Sequence, residues 1–301
     1  RLRSGPSPRA GARVCSGCWE GTEGWGCADG IMHRRSFTER NVMKIVVLVK
    51  YVPDIEVGYS FTAEGRLDRT GEGLISELDE HPLEEARRLA ESLGAEVVAL
   101  TIGPDEADEA LRRALQLGAD RGLHVNDEAI AGSDAAATAL VAAAAIKWLG
   151  GADLILAGTE SADSGTGLVP VQVAARLGLP VLTGAVSLAV EAGRAVIRKD
   201  DDVVSLTLAA PLPALVTVSE RANEAAYPSA KAVMLARRKP VEEVDLDDLG
   251  LEAAEVGPGA SRLAVERVEA LPERTGGSVL EASADEALAQ FIALLEQNNL
   301  V

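Results

Sequence analysis

The sequence predicts an α/β protein: a doubly wound, mostly parallel sheet with an antiparallel extension and a C-terminal arm plus helix. Three observations carry that expectation. From Met43 onward, short apolar runs of strand length alternate with longer segments of helical period. The runs are apolar throughout, as in strands covered on both faces. After residue 185 the rhythm changes to closely spaced strand-like runs divided by turns.

Ile45 to Val49 reads as the first buried strand. "HPLEEARRLAESLG" (81–94) reads as a helix, with Pro82 near its first turn and Gly94 as its stop. "EVVALTIG" (96–103) is a second strand, and "PDEADEALRRALQLGA" follows as a helix with acidic residues where the dipole favours them. "GLHV" (122–125) is a third strand, "SDAAATALVAAAAIKWLG" (133–150) an Ala-rich helix and "DLILAG" (153–158) a fourth strand. In "GLVPVQVAARLG" (167–178), Pro170 requires the helix to begin just before it. Strand and helix in alternation imply parallel pairing through right-handed crossovers. Residues 185–219, with "EAG" and "KDDD" as turns, suggest an antiparallel meander extending or flanking the sheet. Residues 43–240 are thus expected as one α/β domain. Beyond Pro240 an acidic stretch broken by Gly and Pro reads as an arm, and "ASADEALAQFIALLEQ" (282–297) as an amphipathic helix that docks on something else.

Composition narrows the function. With only 3% aromatics among 301 residues, the core must be aliphatic. A formal charge of −18 argues against a nucleic-acid binder, which needs a basic stripe. No apolar run reaches the length of a membrane helix, so membrane insertion is not expected. Residues 1–42 differ from the rest. They hold seven Arg, all three cysteines (Cys15, Cys18, Cys27) and two of the three tryptophans, with no period of either kind. Cys15-x-x-Cys18 invites a zinc or redox reading, but a four-ligand site would need a fourth partner, for which His33 is the only local candidate. The preferred expectation is that Met43 is the functional start, with 1–42 an unstructured leader or outside the native coding sequence. The cysteine-free remainder suits a reducing compartment. Six Lys against twenty-three Arg suit a GC-rich bacterial genome and a cytoplasmic setting.

In an open parallel sheet the ligand crevice lies beyond the carboxyl ends of the strands. The loops meeting there are Lys50-Tyr51-Val52-Pro53-Asp54, Gly103-Pro104-Asp105 and Gly158 to Gly167. The last, "GTESADSGTG", is built of Gly, Ser, Thr and Asp between a buried strand and a helix. Glycines let main-chain amides approach an anion, and the following helix adds its positive end. Ser161, Ser164 and Thr166 can add donors, and Asp163 can accept from a ribose hydroxyl. The same residues also build plain turns. No P-loop and no dinucleotide fingerprint is present. The body offers two histidines, His81 and His124, and no cysteine; its acidic runs, such as Glu84-Glu85, read as solvated faces. A nucleotide site without acid, base or nucleophile points to a carrier, sensor or subunit rather than an enzyme.

Four spaced segments together resemble the beta subunit of electron transfer flavoproteins of the bacterial type. They are "MKIVVLVKYVPD", "ALTIGPDEADEALRRALQLGADRGLHV" (99–125), "GTESADSGTGLVP" and "ERANEAAYPSAKAVMLARRKP" (220–240). The resemblance covers residues 43–301 in order, while the leader matches nothing. It implies a doubly wound domain with a structural AMP. It also implies an alpha-subunit partner holding most of a shared FAD, and electron flow from acyl-CoA-type flavin dehydrogenases to a membrane quinone oxidoreductase. By position it places AMP contacts at Leu48, Lys50, His81, Pro82 and Ala107, with the main grip from Gly158, Ser161, Asp163, Ser164, Gly165 and Thr166. The partner-recognition segment falls on Tyr227, Pro228, Ser229, Ala230 and Lys231, within a basic cluster completed by Arg237, Arg238 and Lys239. Ala230 stands where the mitochondrial members carry leucine, a loss of roughly 1.5 kcal/mol of apolar contact. Ile55 stands where they carry an aromatic residue near the flavin. Two alternatives remain: a bifurcating-type subunit with a second FAD in place of AMP, and a flavin-free adenine-nucleotide module of the same fold.

Overall fold

The computed structural model describes residues 42–54, 58–62, 65–69, 71–269, 277, 279 and 282–301. The expectations for residues 1–41 and for Ile55 lie outside them. In chain order the elements are β1 (Lys44–Leu48), β2 (Tyr51–Pro53), β3 (Gly73–Ile75), α1 (Glu77–Leu93), β4 (Glu96–Ile102), α2 (Asp108–Gln116), β5 (Arg121–Val125), α3 (Ala135–Trp148), β6 (Leu154–Gly158) and α4 (Leu168–Leu177). There follow β7 (Val181–Ala185), β8 (Ser187–Glu191), β9 (Arg194–Asp200), β10 (Ser205–Pro211), β11 (Ala214–Val218), α5 (Ala230–Ala236), β12 (Val241–Val244), α6 (Leu246–Leu249), α7 (Gly257–Ala260) and α8 (Ala284–Gln297).

Seven strands form one sheet in the order β12-β5-β4-β1-β6-β11-β7, and every neighbouring pair is parallel. Burial on both faces explains the uniformly apolar strands. Ile45 and Val47 of β1 pack on one side with Leu83 of α1 and Leu111 of α2. Val46 packs on the other with Ile146 of α3 and Val173 of α4. The alanines of α3 let that helix sit close to the sheet, and Asp134 caps it by accepting from the amides of Ala136 and Ala137 at 2.9 Å. The fold is the doubly wound α/β class that the alternating pattern predicts. The chain steps outward from β1 through β4 to β5, then returns to the other side of β1 with β6. Topology therefore puts the crevice between the ends of β1 and β6.

Three elements differ from their sequence reading. Helix α1 begins at Glu77, so Pro82 lies inside it rather than at its first turn. Its ring removes the amide that would bond to the Leu78 carbonyl. The antiparallel sheet β10-β9-β8 is real, but Ala214–Val218 is not part of it. That segment is buried throughout and enters the parallel sheet between β6 and β7, as its unbroken apolar character fits. The stretch read as an arm begins with β12, an edge strand parallel to β5. Its Glu242 and Glu243 stay exposed, which hid it among acidic residues and also protects the edge. Further on, the Ser261 hydroxyl accepts from the Asp134 amide and the Arg262 amide donates to the Asp134 carboxylate, so the arm crosses the start of α3. Helix α8 buries none of its side chains, leaving Leu288, Phe291, Ile292 and Leu294 exposed.

Candidate functional site

At the end of β1 the chain turns at Lys50, whose amide donates to the Asp79 carboxylate at 2.8 Å. The same carboxylate accepts from the Gly158 amide at the end of β6. One side chain from the first turn of α1 thus joins the two strands that flank the crevice. Burial pushes the Asp79 carboxyl up to about 7, against the opposing pull of those two amides. Gly158 is required here, because a Cβ would lie 2.9 Å from an Asp79 oxygen and 3.0 Å from the Leu78 carbonyl. Next to it Ser76, fully buried, accepts from the Ala162 amide at 3.1 Å and donates its own amide to the Lys50 carbonyl at 2.8 Å.

The loop after β6 closes around the Lys50 ammonium. Lys50 Nζ donates to Ser161 Oγ at 3.2 Å, Asp163 Oδ1 at 2.8 Å and Ser164 Oγ at 3.2 Å. The other Asp163 oxygen takes the guanidinium of Arg69, which comes from the segment between β2 and β3. Burial alone would raise the Asp163 carboxyl, but Lys50 and then Arg69 hold it well below the usual carboxylate range. From the same segment, Tyr59 donates its hydroxyl to the Ala162 carbonyl at 3.1 Å. The loop ends at Gly167, whose φ of +61° turns the chain into α4, leaving the first amides of that helix without a side-chain cap.

The structure brings Lys50, Gly158, Ser161, Asp163 and Ser164 into one cluster. Gly165 donates its amide to the Ser161 carbonyl at 3.0 Å, and Thr166 is exposed on the outer turn. Leu48 ends β1 and packs towards the α3/α4 core. The polar contacts of His81 go elsewhere: its ring meets Asn223, which also donates to the His81 carbonyl and to Glu85. Pro82 is buried inside α1, and Ala107 is fully buried just before α2, beneath Gly103. Sequence reasoning missed Asp79, Ser76, Tyr59 and Arg69. The first two follow only once α1 is known to start at Glu77; the last two lie on a segment without periodicity.

A second surface lies around α5. Tyr227 is 93% exposed, and Met234 and Leu235 are exposed beside it. Ser229 caps α5 by accepting from the Ala232 amide at 3.2 Å, which fixes Ala230 and Lys231 in its first turn. Lys239 does not join the basic cluster expected there. Its ammonium donates to the Leu115 carbonyl at 3.0 Å and the Ala119 carbonyl at 2.5 Å, at the end of α2.

Sheet order defines a doubly wound α/β protein with a Gly/Ser/Asp loop gathered on Lys50 at its topological switch point, and comparison with known proteins narrows that class. The electron transfer flavoprotein domain matches residues 65–249. The chain is 36% identical to the electron transfer flavoprotein subunit beta of Mycobacterium leprae, over 80% of this chain and 93% of that one. It is 30% identical to the Megasphaera elsdenii protein of the same name, over 85% and 97%. It is also 30% identical to the caffeyl-CoA reductase-Etf complex subunit CarD of Acetobacterium woodii, over 86% of this chain and all of that one. The chain belongs to the electron transfer flavoprotein beta-subunit family, whose members are electron carriers acting with an alpha subunit. Among the described residues no helix is long and apolar enough to cross a membrane.

Proposed function

We propose that this chain is the beta subunit of a heterodimeric electron transfer flavoprotein of the bacterial cytoplasm. In this reading it holds a structural AMP in the crevice between β1 and β6 and helps an alpha subunit hold FAD. Electrons pass from acyl-CoA-type dehydrogenases through that FAD to a membrane quinone oxidoreductase, and the chain supplies no catalytic residue of its own. The observation that carries the reading is the loop Gly158–Gly167, gathered on Lys50 at the switch point. In this reading Leu48, Lys50 and the Gly158–Thr166 loop contact the AMP, with further contacts expected from His81, Pro82 and Ala107. The exposed Tyr227–Lys231 segment, with Met234 and Leu235, is the surface for the dehydrogenase. The unburied apolar side of α8 is the surface for the alpha subunit.

Co-expression with an alpha chain, then extraction and quantification of nucleotides, tests this. One AMP and one FAD per heterodimer support it; a complex lacking adenine nucleotide in the beta chain sinks it. A second reading replaces AMP with a second FAD, as in bifurcating relatives. It is favoured by the similarity to a subunit of a caffeyl-CoA reductase-Etf complex, and two FAD per heterodimer would establish it.

A further inference from the structure

Two cations meet at Asp163, and they are not equivalent. The Lys50 ammonium has three N–H donors, and Ser161, Asp163 and Ser164 take all three. Its hydrogen-bonding capacity is spent on shaping the loop. Arg69 is different. Of its five donors, one nitrogen meets Asp163, and another lies at a marginal 3.5 Å from the Tyr51 carbonyl. Among the described residues the remainder have no hydrogen-bond partner.

Asp163 also has little need of Arg69. Its other oxygen already accepts from Lys50 and from the Ser164 hydroxyl at 3.2 Å. The Asp163 side chain is fully covered, whereas Lys50 and Arg69 are exposed to nearly the same extent, 38% and 37%, so the two cations differ in their spare donors and not in their exposure. The guanidinium is thus partly open to solvent beside a covered carboxylate and, among the described residues, has donors to spare. A guanidinium with free in-plane donors matches phosphate oxygens two at a time, which an ammonium cannot do. Acidic groups bound the site on its other sides: Asp79 at the floor and Glu160 beside Gly165. An anion entering the crevice thus meets favourable charge from the Arg69 side.

We propose that Arg69 is a phosphate-binding residue of this crevice, so that the site selects a phosphorylated adenine nucleotide over the nucleoside. Lys50 is the positioning residue that holds the loop, and Arg69 is the ligand. The inference rests on the nucleotide reading of the loop. The phosphate can belong to AMP or to the adenylate half of FAD, since both present the same oxygens next to adenosine.

The test is equilibrium binding of AMP, FAD and adenosine to the full chain stripped of nucleotide, for the wild type, Arg69→Gln and Arg69→Lys. The expected result is a loss of about tenfold or more for the phosphorylated ligand in Arg69→Gln, the usual size of one charge-assisted contact. Adenosine binding should change by less than about twofold, and Arg69→Lys should fall between the other two because it keeps charge without the fork. Whichever of AMP and FAD binds the wild type more tightly identifies the source of the phosphate. Equal AMP or FAD binding in wild type and Arg69→Gln overturns the inference and leaves the nucleotide reading intact. Parallel losses for adenosine and the nucleotides also overturn it, by showing that Arg69 only supports the loop. If the wild type binds none of the three, the nucleotide reading itself falls, and this inference with it. Should Arg69→Gln fail to fold, the salt dependence of nucleotide binding in wild type and Arg69→Lys decides: a salt-independent affinity counts against a cationic phosphate contact.

Discussion

Replacing Asp79 by Asn removes a carboxylate that the fold holds almost without water. Its carboxyl is pushed from an ordinary value of 3.8 up to about 7, with burial as the first cause. Between those two values the folded chain keeps a proton that the unfolded chain has lost. Stability from this group is therefore full below about pH 4, declines as pH rises towards about 7, and is flat above that. At about 1.4 kcal/mol per unit, the whole window amounts to roughly 4 kcal/mol, of which about 2 kcal/mol falls between pH 5.5 and 8. Asn keeps the shape and one good acceptor, but two amides, from Lys50 and Gly158, point at this group. Asp79→Asn therefore carries a pH-independent cost of about 1–3 kcal/mol for the amide left without an acceptor. Urea denaturation of the nucleotide-free chain across that pH range measures both terms. The wild type should exceed the variant most at pH 5.5, and the gap should narrow by about 2 kcal/mol at pH 8. Parallel pH curves for the two proteins would refute the assignment of a buried, proton-binding carboxyl at this position.

Three further outcomes are expected. Gly158→Ala forces a Cβ to within 2.9 Å of Asp79 and 3.0 Å of the Leu78 carbonyl, and should cost about 2 kcal/mol by thermal or urea melting while weakening AMP binding. Ending the chain after Ser283 removes a helix with no buried side chain, so the melting free energy should change by less than about 0.5 kcal/mol while co-purification with the alpha subunit is lost. Lys239→Met removes donors from the Leu115 and Ala119 carbonyls and should destabilise the chain by about 1 kcal/mol without changing nucleotide affinity, as paired melting and binding measurements would show.

The parallel sheet was legible because its strands are apolar on both faces and its helices carry stop signals such as Gly94 and Gly178. Its outer parts were harder to read. Val241–Val244 reads Val-Glu-Glu-Val, four residues without strand-like alternation, and so does not stand out from the acidic sequence around it. The loop Gly158–Gly167 was found from composition and its place after a strand. Its electrostatics were not. Asp79 looks like an ordinary first-turn acid, and only the pairing of β1 with β6 shows that it is buried. Arg69 sits 94 residues from Asp163, a distance at which one sequence carries no pairing signal. His81 was placed by its position before Pro82, and that Pro82 is internal to α1 moves the true helix start four residues upstream.

The reach of Lys50 has a consequence for biosynthesis. Its side chain contacts residues 111 to 114 positions further along the chain. A nascent chain halted before Ser164 has the crevice floor in hand but no wall, whatever its N-terminal half has already folded. The crevice is thus among the later features to mature, and on the proposed nucleotide reading a small molecule captured there acts as a clasp that bears on two separately synthesised halves. Stabilisation by such a clasp grows with the logarithm of its free concentration, so on that reading subunits in a ligand-poor cell would be held together less firmly along this seam.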